Sequence, residues 1–285
     1  CLQLSTSHQI IWVIHSDWQL DLLGSLGLSA PLTLWLKIDT GMHRLGFHPE
    51  SMANVLARIS ALPFLNCDGV LTHFANSDVS EGASEAKPQS KVAQLEVAQQ
   101  IDCFDRCLAD LGLANIPQSM ANSGAVLHYP TTHRSVVRPG IMLYGASPTT
   151  SADKFGLKPV MYLTSEVMSL RTIAVGESVG YGSSWAAGRE SLIATIAVGY
   201  GDGYPRHAPN GTPVAVNEDI APLVGRVSMD MITVDVTDIP NVKIGDPVEL
   251  WGALVPADVV ASMAGTISYE LFTSLTTRVP KRYLL

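Results

Sequence analysis

Along the first half of the chain, short apolar runs alternate with stretches in which apolar residues recur every three or four positions. The runs at 10–15, 32–39 and 68–74 read as strands, and 17–26 and 49–62 read as helices. A long helical pattern occupies about 86–112, and a polar stretch at 79–90 reads as the loop that feeds it. A short strand near 118–120, a helix at 123–129 and a fifth strand within 135–144 complete the series. Strands separated by helices predict βα units and a parallel sheet. Beyond residue 157 the grammar changes. Apolar, β-rich runs at 160–175, 191–198, 213–216, 223–236 and 247–251 are punctuated by Gly, Pro, Asn and Asp. They predict a mainly-β module with a short helical tail from about 257. No internal repeat is present.

This reading gives two domains, 1–157 and 158–285. Five strands in the first domain correspond to about 30 residues per βα unit, whereas a (β/α)8 barrel needs eight strands and about 250 residues. The expected fold class is α/β plus β: an incomplete (β/α)8 barrel with about five of its eight βα units, then a C-terminal mainly-β domain. An open five-stranded parallel sheet is the alternative. Its bare strand edges count against it.

Composition narrows the function classes. The 285 residues are 47% hydrophobic and 15% charged, enough core formers to fold. Lys plus Arg number 18 against 26 Asp plus Glu, a net charge of −8. That balance argues against nucleic-acid binding, which needs clustered cations. No apolar run approaches the ~18 residues that span a bilayer, and no basic segment opens a signal peptide, so a cytoplasmic protein without membrane contact is expected. Cys1, Cys67, Cys103 and Cys107 form no Cys-x-x-Cys pair, so reduced, packing thiols and no metal site are expected. Cys1 stands where an initiator Met would be, a hint that the N-terminus of the protein lies upstream.

Reacting groups in βα folds cluster at the C-terminal ends of strands. The second strand runs into Lys37-Ile-Asp39-Thr-Gly-Met-His-Arg44-Leu-Gly46, with Lys37 and Asp39 on one face. A strand lysine is costly unless paired or modified. An ion pair of Lys37 with Asp39 or another carboxylate, and a surface Arg44, are the plain readings. The third strand ends in Thr72-His73-Phe-Ala-Asn-Ser-Asp78, where His73 reads equally as a core histidine. Asn122-Ser123 reads as a helix cap or as an anion site at a helix start. Pro139-Gly140-Ile141 turns the chain and exposes amides that phosphate could approach; with Ser123 they would form a cradle. In the β half, Gly180-Tyr181-Gly182 and Tyr200-Gly-Asp-Gly-Tyr204 read as hairpin turns or site loops, and Gly225–Asp230 sets an Arg and an acid beside an apolar strand.

Taken in order, these motifs closely resemble the alanine racemase family. Val137-Arg138-Pro-Gly-Ile141, Val179-Gly-Tyr181-Gly, Val198-Gly-Tyr200-Gly-Asp-Gly-Tyr204, Val224-Gly-Arg-Val-Ser-Met229-Asp230 and the closing Thr277-Arg278-Val-Pro280 share in it, and it spans essentially all of the chain. The resemblance implies pyridoxal 5'-phosphate (PLP) as cofactor, alanine as substrate, two-base Cα proton transfer, and a homodimer with shared active sites. It implies that Arg44 contacts the cofactor's phenolic oxygen and the substrate, and that Lys37 is a carbamylation site able to hold Arg44. His73 packs on the pyridine ring, Asn122, Ser123, Gly140 and Ile141 serve the phosphate, and Arg138 faces the ring nitrogen. A protonated Arg there leaves the nitrogen unprotonated and weakens the electron sink, which favours racemisation over transamination.

By the same resemblance, Tyr181 is one catalytic base, reaching the partner subunit's site. Tyr200 lines the substrate channel, Met229 contacts the substrate carboxylate through its backbone, and Asp230 lies alongside. Asp78, Arg206 and Arg226 are entryway residues. Tyr269 matches the family's late gate tyrosine, with Thr277 the competing position. The family's Schiff-base lysine sits in a Lys-Ala-Asn-Ala-Tyr-Gly-like segment that has no counterpart here. A fragment inactive by itself is therefore expected, supplying D-alanine for peptidoglycan precursors when whole. A non-catalytic PLP-binding or dimerisation module, or a racemase of broader specificity, are the alternatives.

Overall fold

The computed structural model describes residues 10–27, 30–78, 88–149 and 155–283. Cys1 and the 79–87 part of the polar stretch lie outside the described residues. The chain divides into two compact units, Cys1–Gly140 and Ile141–Leu285.

In the first unit, β1 (Trp12–Ile14), β2 (Leu32–Lys37), β3 (Leu65–Leu71) and β4 (Gln118–Ser119) form one parallel sheet in chain order. Parallel neighbours need crossover connections. These are α1 (Asp17–Ser25), α2 (Met52–Ser60, after a 3-10 turn at Pro49–Ser51) and α3 (Pro88–Asp110); α4 (Ser123–His128) follows β4. In β2, Leu32, Leu34 and Leu36 are buried, while Thr33, Trp35 and Lys37 are half-buried. Strand alternation thus puts Lys37 on the face opposite the core leucines. Helix α2 buries Met52, Val55 and Ile59; α3 buries Ala93, Val97, Phe104, Cys107 and Leu108. Each large aliphatic side chain so buried contributes about 1.5–3 kcal/mol. One polar residue shares the α3 stripe: Gln100, 3% exposed. The β2–β3 register shifts between Leu34 opposite Cys67 and Trp35 opposite Gly69. The Trp35 indole occupies the space a Cβ at 69 would need, so glycine admits both the bulge and the ring.

The fifth strand expected within 135–144 does not form. Ser135 and Val136 both donate to the Gln118 carbonyl and Arg138 donates to that of Ala121, so the segment runs beside β4 without a ladder. Arg134 sits at positive φ (47°) and Pro139 has no N–H to give, which interrupts pairing on both sides. Ile141–Tyr144 is a 3-10 turn instead.

The second unit is one antiparallel sheet whose strands lie in the spatial order Asp219–Pro222, Pro213–Val216, Pro247–Trp251, Leu163–Ile173, Ser191–Ile196, Ile232–Asp235. Its strands are β5 (Leu163–Ile173), β6 (Ser191–Ile196), β7 (Pro213–Val216), β8 (Asp219–Pro222), β9 (Ile232–Asp235) and β10 (Pro247–Trp251). The expected strand at 223–236 shortens to β9. Gly225, at φ +80, gives its N–H to Asn210 Oδ1, and the chain turns there. Helices α5 (Ala257–Met263) and α6 (Ser268–Ser274) form the tail. Val214, Val216, Val234, Val248, Leu250 and Trp251 lie in the core of this unit. Among the described residues, no helix is long and apolar enough to cross a membrane.

Candidate functional site

The loop after β2 is organised by Asp39. Its Oδ1 accepts from the amides of Gly41 (3.1 Å), Met42 (3.1 Å) and His43 (3.0 Å), and Oδ2 lies 3.4 Å from His43 Nδ1. Burial works against the carboxylate, but the three amide hydrogen bonds and His43 outweigh it, and its pKa falls below the usual range. Gly46, at φ +132, brings the chain back so that Asp39 N–H donates to Phe47 O and Phe47 N–H to Lys37 O. Arg44 therefore rides on a loop closed at both ends on β2.

The expected Lys37–Asp39 ion pair is not made: the carboxylate is occupied by loop amides, and among the described residues no carboxylate pairs with Lys37. The Lys37 amine is pushed below its ordinary value by burial first, then by Arg44 and Arg138, with Asp39 opposing weakly.

The loop after β3 carries His73. It is half-buried, and its Nδ1 stands 3.3 Å from Arg138 Nη2. Burial, then the charges of Arg138, Lys37 and Arg44, lower its pKa to about 4. Arg138 Nη1 donates to Ser119 Oγ (2.5 Å), and Nη2 donates to Thr72 O (2.6 Å) and stands 3.3 Å from His73 Nδ1. Burial lowers the Arg138 pKa, yet a guanidinium keeps its proton near neutrality.

Asn122 is a helix cap: its Oδ1 accepts from Ala125 N–H (3.0 Å) and also from Ser77 Oγ (2.7 Å), tying the β3 loop to α4. Ser123 Oγ accepts from Gly140 N–H at 2.8 Å. A Cβ built on Gly140 would meet only that hydroxyl, at 3.8 Å, so the Gly140 face is open. The first unit thus brings together Lys37, Arg44, His73, Asn122, Ser123, Arg138 and Gly140. Asp78 is an exposed turn residue beside Ser77. Ile141, the remaining cradle residue, is buried at the start of the second unit.

Within the second unit, Tyr181 opens a tight turn between two positive-φ glycines, Gly180 and Gly182, and is 72% exposed. The Arg226 guanidinium backs the turn: a Cβ on Gly182 would lie 3.5 Å from its Cζ. The Tyr200 and Met229 loops pair directly, Tyr200 N–H to Ser228 O (3.0 Å) and Gly201 N–H to Met229 O (2.8 Å). The Arg206 guanidinium stands 5.9 Å from the Tyr200 ring centroid, a cation–π distance. Arg278 donates to Asp230 Oδ1 at 2.6 Å and lies 3.4 Å from Asp202, so the C-terminal tail clasps both loops. Tyr269 is partly exposed on α6, and Thr277 lies in the turn after it.

Sequence reasoning missed the supports: Thr40, Thr72, Gln100 and Ser119. Gln100 could have been found as the polar residue in an otherwise apolar helix stripe. Among the described residues, no group of three His, Cys, Asp or Glu could hold a metal ion.

Parallel βα units with a cationic centre at their C-terminal strand ends, followed by a separate β domain, define an enzyme of the barrel-plus-β-domain class. Residues 2–148 match the family model "Alanine racemase, N-terminal domain" and 160–283 match "Alanine racemase, C-terminal domain". The alanine racemase of Stutzerimonas stutzeri (strain A1501) is 46% identical over 268 residues, 93% of this chain and 71% of the relative. The crystal structure of biosynthetic alanine racemase from Pseudomonas aeruginosa superposes with TM-score 0.87 at 44% identity, covering 100% of this chain and 76% of that one. Alanine racemase from Bartonella henselae, solved with covalently bound pyridoxal phosphate, gives TM-score 0.78 at 30% identity, covering 99% and 76%. The chain belongs to the alanine racemase family.

Proposed function

We propose that this chain belongs to a PLP-dependent enzyme that interconverts L- and D-alanine by two-base proton transfer at Cα. The observation that carries this reading is electrostatic. Arg138 reaches His73 Nδ1 at 3.3 Å; burial first, then the charges of Arg138, Lys37 and Arg44, keep that imidazole neutral, and burial first, then Arg44 and Arg138, lowers Lys37. A flat aromatic group bearing phosphate and phenolate suits such a centre, and the space over the Gly140 α-carbon is bounded only by the Ser123 hydroxyl, to which the Gly140 N–H donates.

When bound, PLP acidifies the Cα–H of an amino acid joined to it. Ser123, Gly140 and Ile141, with Asn122 beside them, would hold the phosphate; Arg44 the phenolic oxygen; His73 the ring face; and Arg138 the ring nitrogen. Arg138, which donates and does not release its proton, would hold the ring nitrogen as an acceptor and so would favour return of hydrogen to Cα over transamination. Lys37, flanked by two cations, is the residue that carbamylation would convert into an anion able to hold Arg44. Tyr181 exchanges the proton on one face of Cα, and a lysine outside the matched motifs serves the other. By the family resemblance, Arg44 and the Met229 backbone are each assigned to the substrate carboxylate. Tyr200, Asp230 and Tyr269 line the way in, and Tyr181 works in the site of a second copy within a cytoplasmic homodimer. The functional domain boundary falls at 157/158.

The test joins this chain to the N-terminal quarter of the Pseudomonas aeruginosa relative and assays D-alanine formation from L-alanine with PLP. Racemisation is expected, and Tyr181→Phe should slow proton abstraction from one enantiomer by about 10²–10⁴-fold. An inactive chimera beside an active control, or hydrogen–deuterium exchange from both enantiomers unchanged in Tyr181→Phe, would overturn it.

A further inference from the structure

Helix α3 presents an apolar stripe, Ala93, Val97, Phe104, Cys107 and Leu108, and Gln100 takes the position in it where a hydrophobic residue would ordinarily stand. A buried amide is costly unless its donors and its acceptor are all met. Here they are, and by partners from two different loops. Gln100 Nε2 donates to Thr40 Oγ1 (3.3 Å), on the loop after β2, and to the His73 carbonyl (3.1 Å), on the loop after β3. Its Oε1 accepts from the Ala75 N–H (3.0 Å). Thr40 Oγ1 is also 2.8 Å from Thr72 Oγ1, and the Thr72 carbonyl accepts from Arg138. Gly41, at φ +141, leaves room for the Gln100 stem: a Cβ there would meet Gln100 Cγ at 3.3 Å.

We propose that Gln100 is a positioning residue that locks the Arg44-bearing loop to the His73-bearing loop, so that both, together with Arg138, present one fixed arrangement to the cofactor. The clamp itself is independent of the functional reading; its consequence for PLP rests on that reading. Only a primary amide can meet this set, donating to a hydroxyl and a carbonyl while accepting from an N–H. Leucine at 100 matches the stripe but leaves the His73 carbonyl and the Ala75 N–H without their partner. Helix α3 would then keep its packing while the two loops lose their common anchor.

The test uses the chain as it stands and Gln100→Leu. Hydrogen–deuterium exchange should rise about tenfold or more in peptides covering 38–47 and 72–78, with α3 and the β unit unchanged. Imidazole NMR should show the His73 pKa moving up from about 4 as the loop opens to water, although Arg138, Lys37 and Arg44 still face it. PLP affinity, read by absorbance titration, should fall about tenfold or more. Unchanged exchange in both loops, or a rise confined to α3, would overturn the clamp. Loosened loops with unchanged PLP affinity would overturn its role toward the cofactor. If Gln100→Leu does not fold, Gln100→Glu decides: it keeps the helix stripe and an acceptor for Ala75 N–H but removes the amide donors to Thr40 and the His73 carbonyl, leaving the Thr40–Thr72 bond in place. It should loosen 38–47, and no change there would equally overturn the proposal.

Discussion

Arg138 Nη2 lies 3.3 Å from His73 Nδ1 while donating to the carbonyl of the residue before it, Thr72, at 2.6 Å. A guanidinium has donors only, so Nδ1 must be the acceptor, and the imidazole proton resides on Nε2. Arg138 thereby sets the tautomer of His73 and, after burial, adds to the neutrality of the ring, and its backbone contact fixes its distance from it.

That relation predicts a pH-dependent stability. The folded His73 pKa, about 4, is below the ordinary imidazole value of 6.5, so the unfolded chain binds more protons between these values. Stability should be full above about pH 6.5 and decline as pH falls toward 4. The full shift corresponds to ~3 kcal/mol. Solvent access to the half-exposed ring reduces the expectation to about 1–2 kcal/mol. Urea unfolding at pH 7 and pH 5 measures it. His73→Asn should flatten this part of the profile, and an unchanged slope would reject the assignment.

Gly46→Ala should be among the more damaging single changes in the β2 loop. Its φ of +132 disfavours any side chain, and the new Cβ would stand 2.6 Å from the Asp39 amide nitrogen and 3.0 Å from the Ile38 carbonyl carbon. Backbone atoms cannot swing aside, so a loss of about 2–4 kcal/mol is expected. Chemical denaturation checks it, and a loss under 1 kcal/mol would show that the loop relaxes freely.

The parts of the fold visible in the sequence are those set by local pattern. The period-two leucines of β2 and the Val97–Phe104–Leu108 spacing of α3 announce their elements, because burial of one face needs no partner information. The segment after Arg134 misled: Val136, Val137 and Ile141–Leu143 look like a strand, but pairing depends on the neighbour, and β4 offers only two ladder residues. The places of Lys37 and His73 were legible because β2 and β3 lead straight into their motifs, whereas Arg138 follows no strand and is held by single hydrogen bonds to Ala121, Ser119 and Thr72. The supports were not legible, because Gln100 lies 60 positions from Thr40 and only the folded chain joins them. The Lys37–Asp39 pairing failed for a related reason: side-chain periodicity shows which residues share a face, whereas three loop amides reach Asp39 from a turn it does not describe.

In the β unit, Tyr204 is 1% exposed and stacks on Trp251, ring centroids 6.1 Å apart. Among the described residues its hydroxyl has no hydrogen-bond partner, and burial pushes its pKa up. A buried hydroxyl without a partner costs stability, so Tyr204→Phe should be neutral or stabilise by about 0.5–1 kcal/mol. Thermal unfolding of the pair gives the sign directly. A destabilisation above about 1 kcal/mol would mean that the hydroxyl is satisfied in solution.

Asp39 provides the sharpest separation of charge from geometry. Its carboxylate is 9% exposed and accepts three consecutive amide N–H groups. Because its folded pKa is depressed, it contributes stability that is present above the ordinary carboxylate pKa and is lost as pH falls through the folded value. This window lies below that of His73, so the two can be told apart in one titration. Asp39→Ala strands three loop amides and should cost about 2–3 kcal/mol, partly offset by water reaching the loop. Asp39→Asn keeps an acceptor oxygen in place and should cost about 1 kcal/mol while removing the acid-side dependence. If Asn and Ala are equally damaging at neutral pH, the charge rather than the cap geometry holds the loop. If neither costs more than 0.5 kcal/mol, the loop is held from its ends, through the Phe47 hydrogen bonds to Lys37 and Asp39, and the carboxylate is incidental to the placement of Arg44.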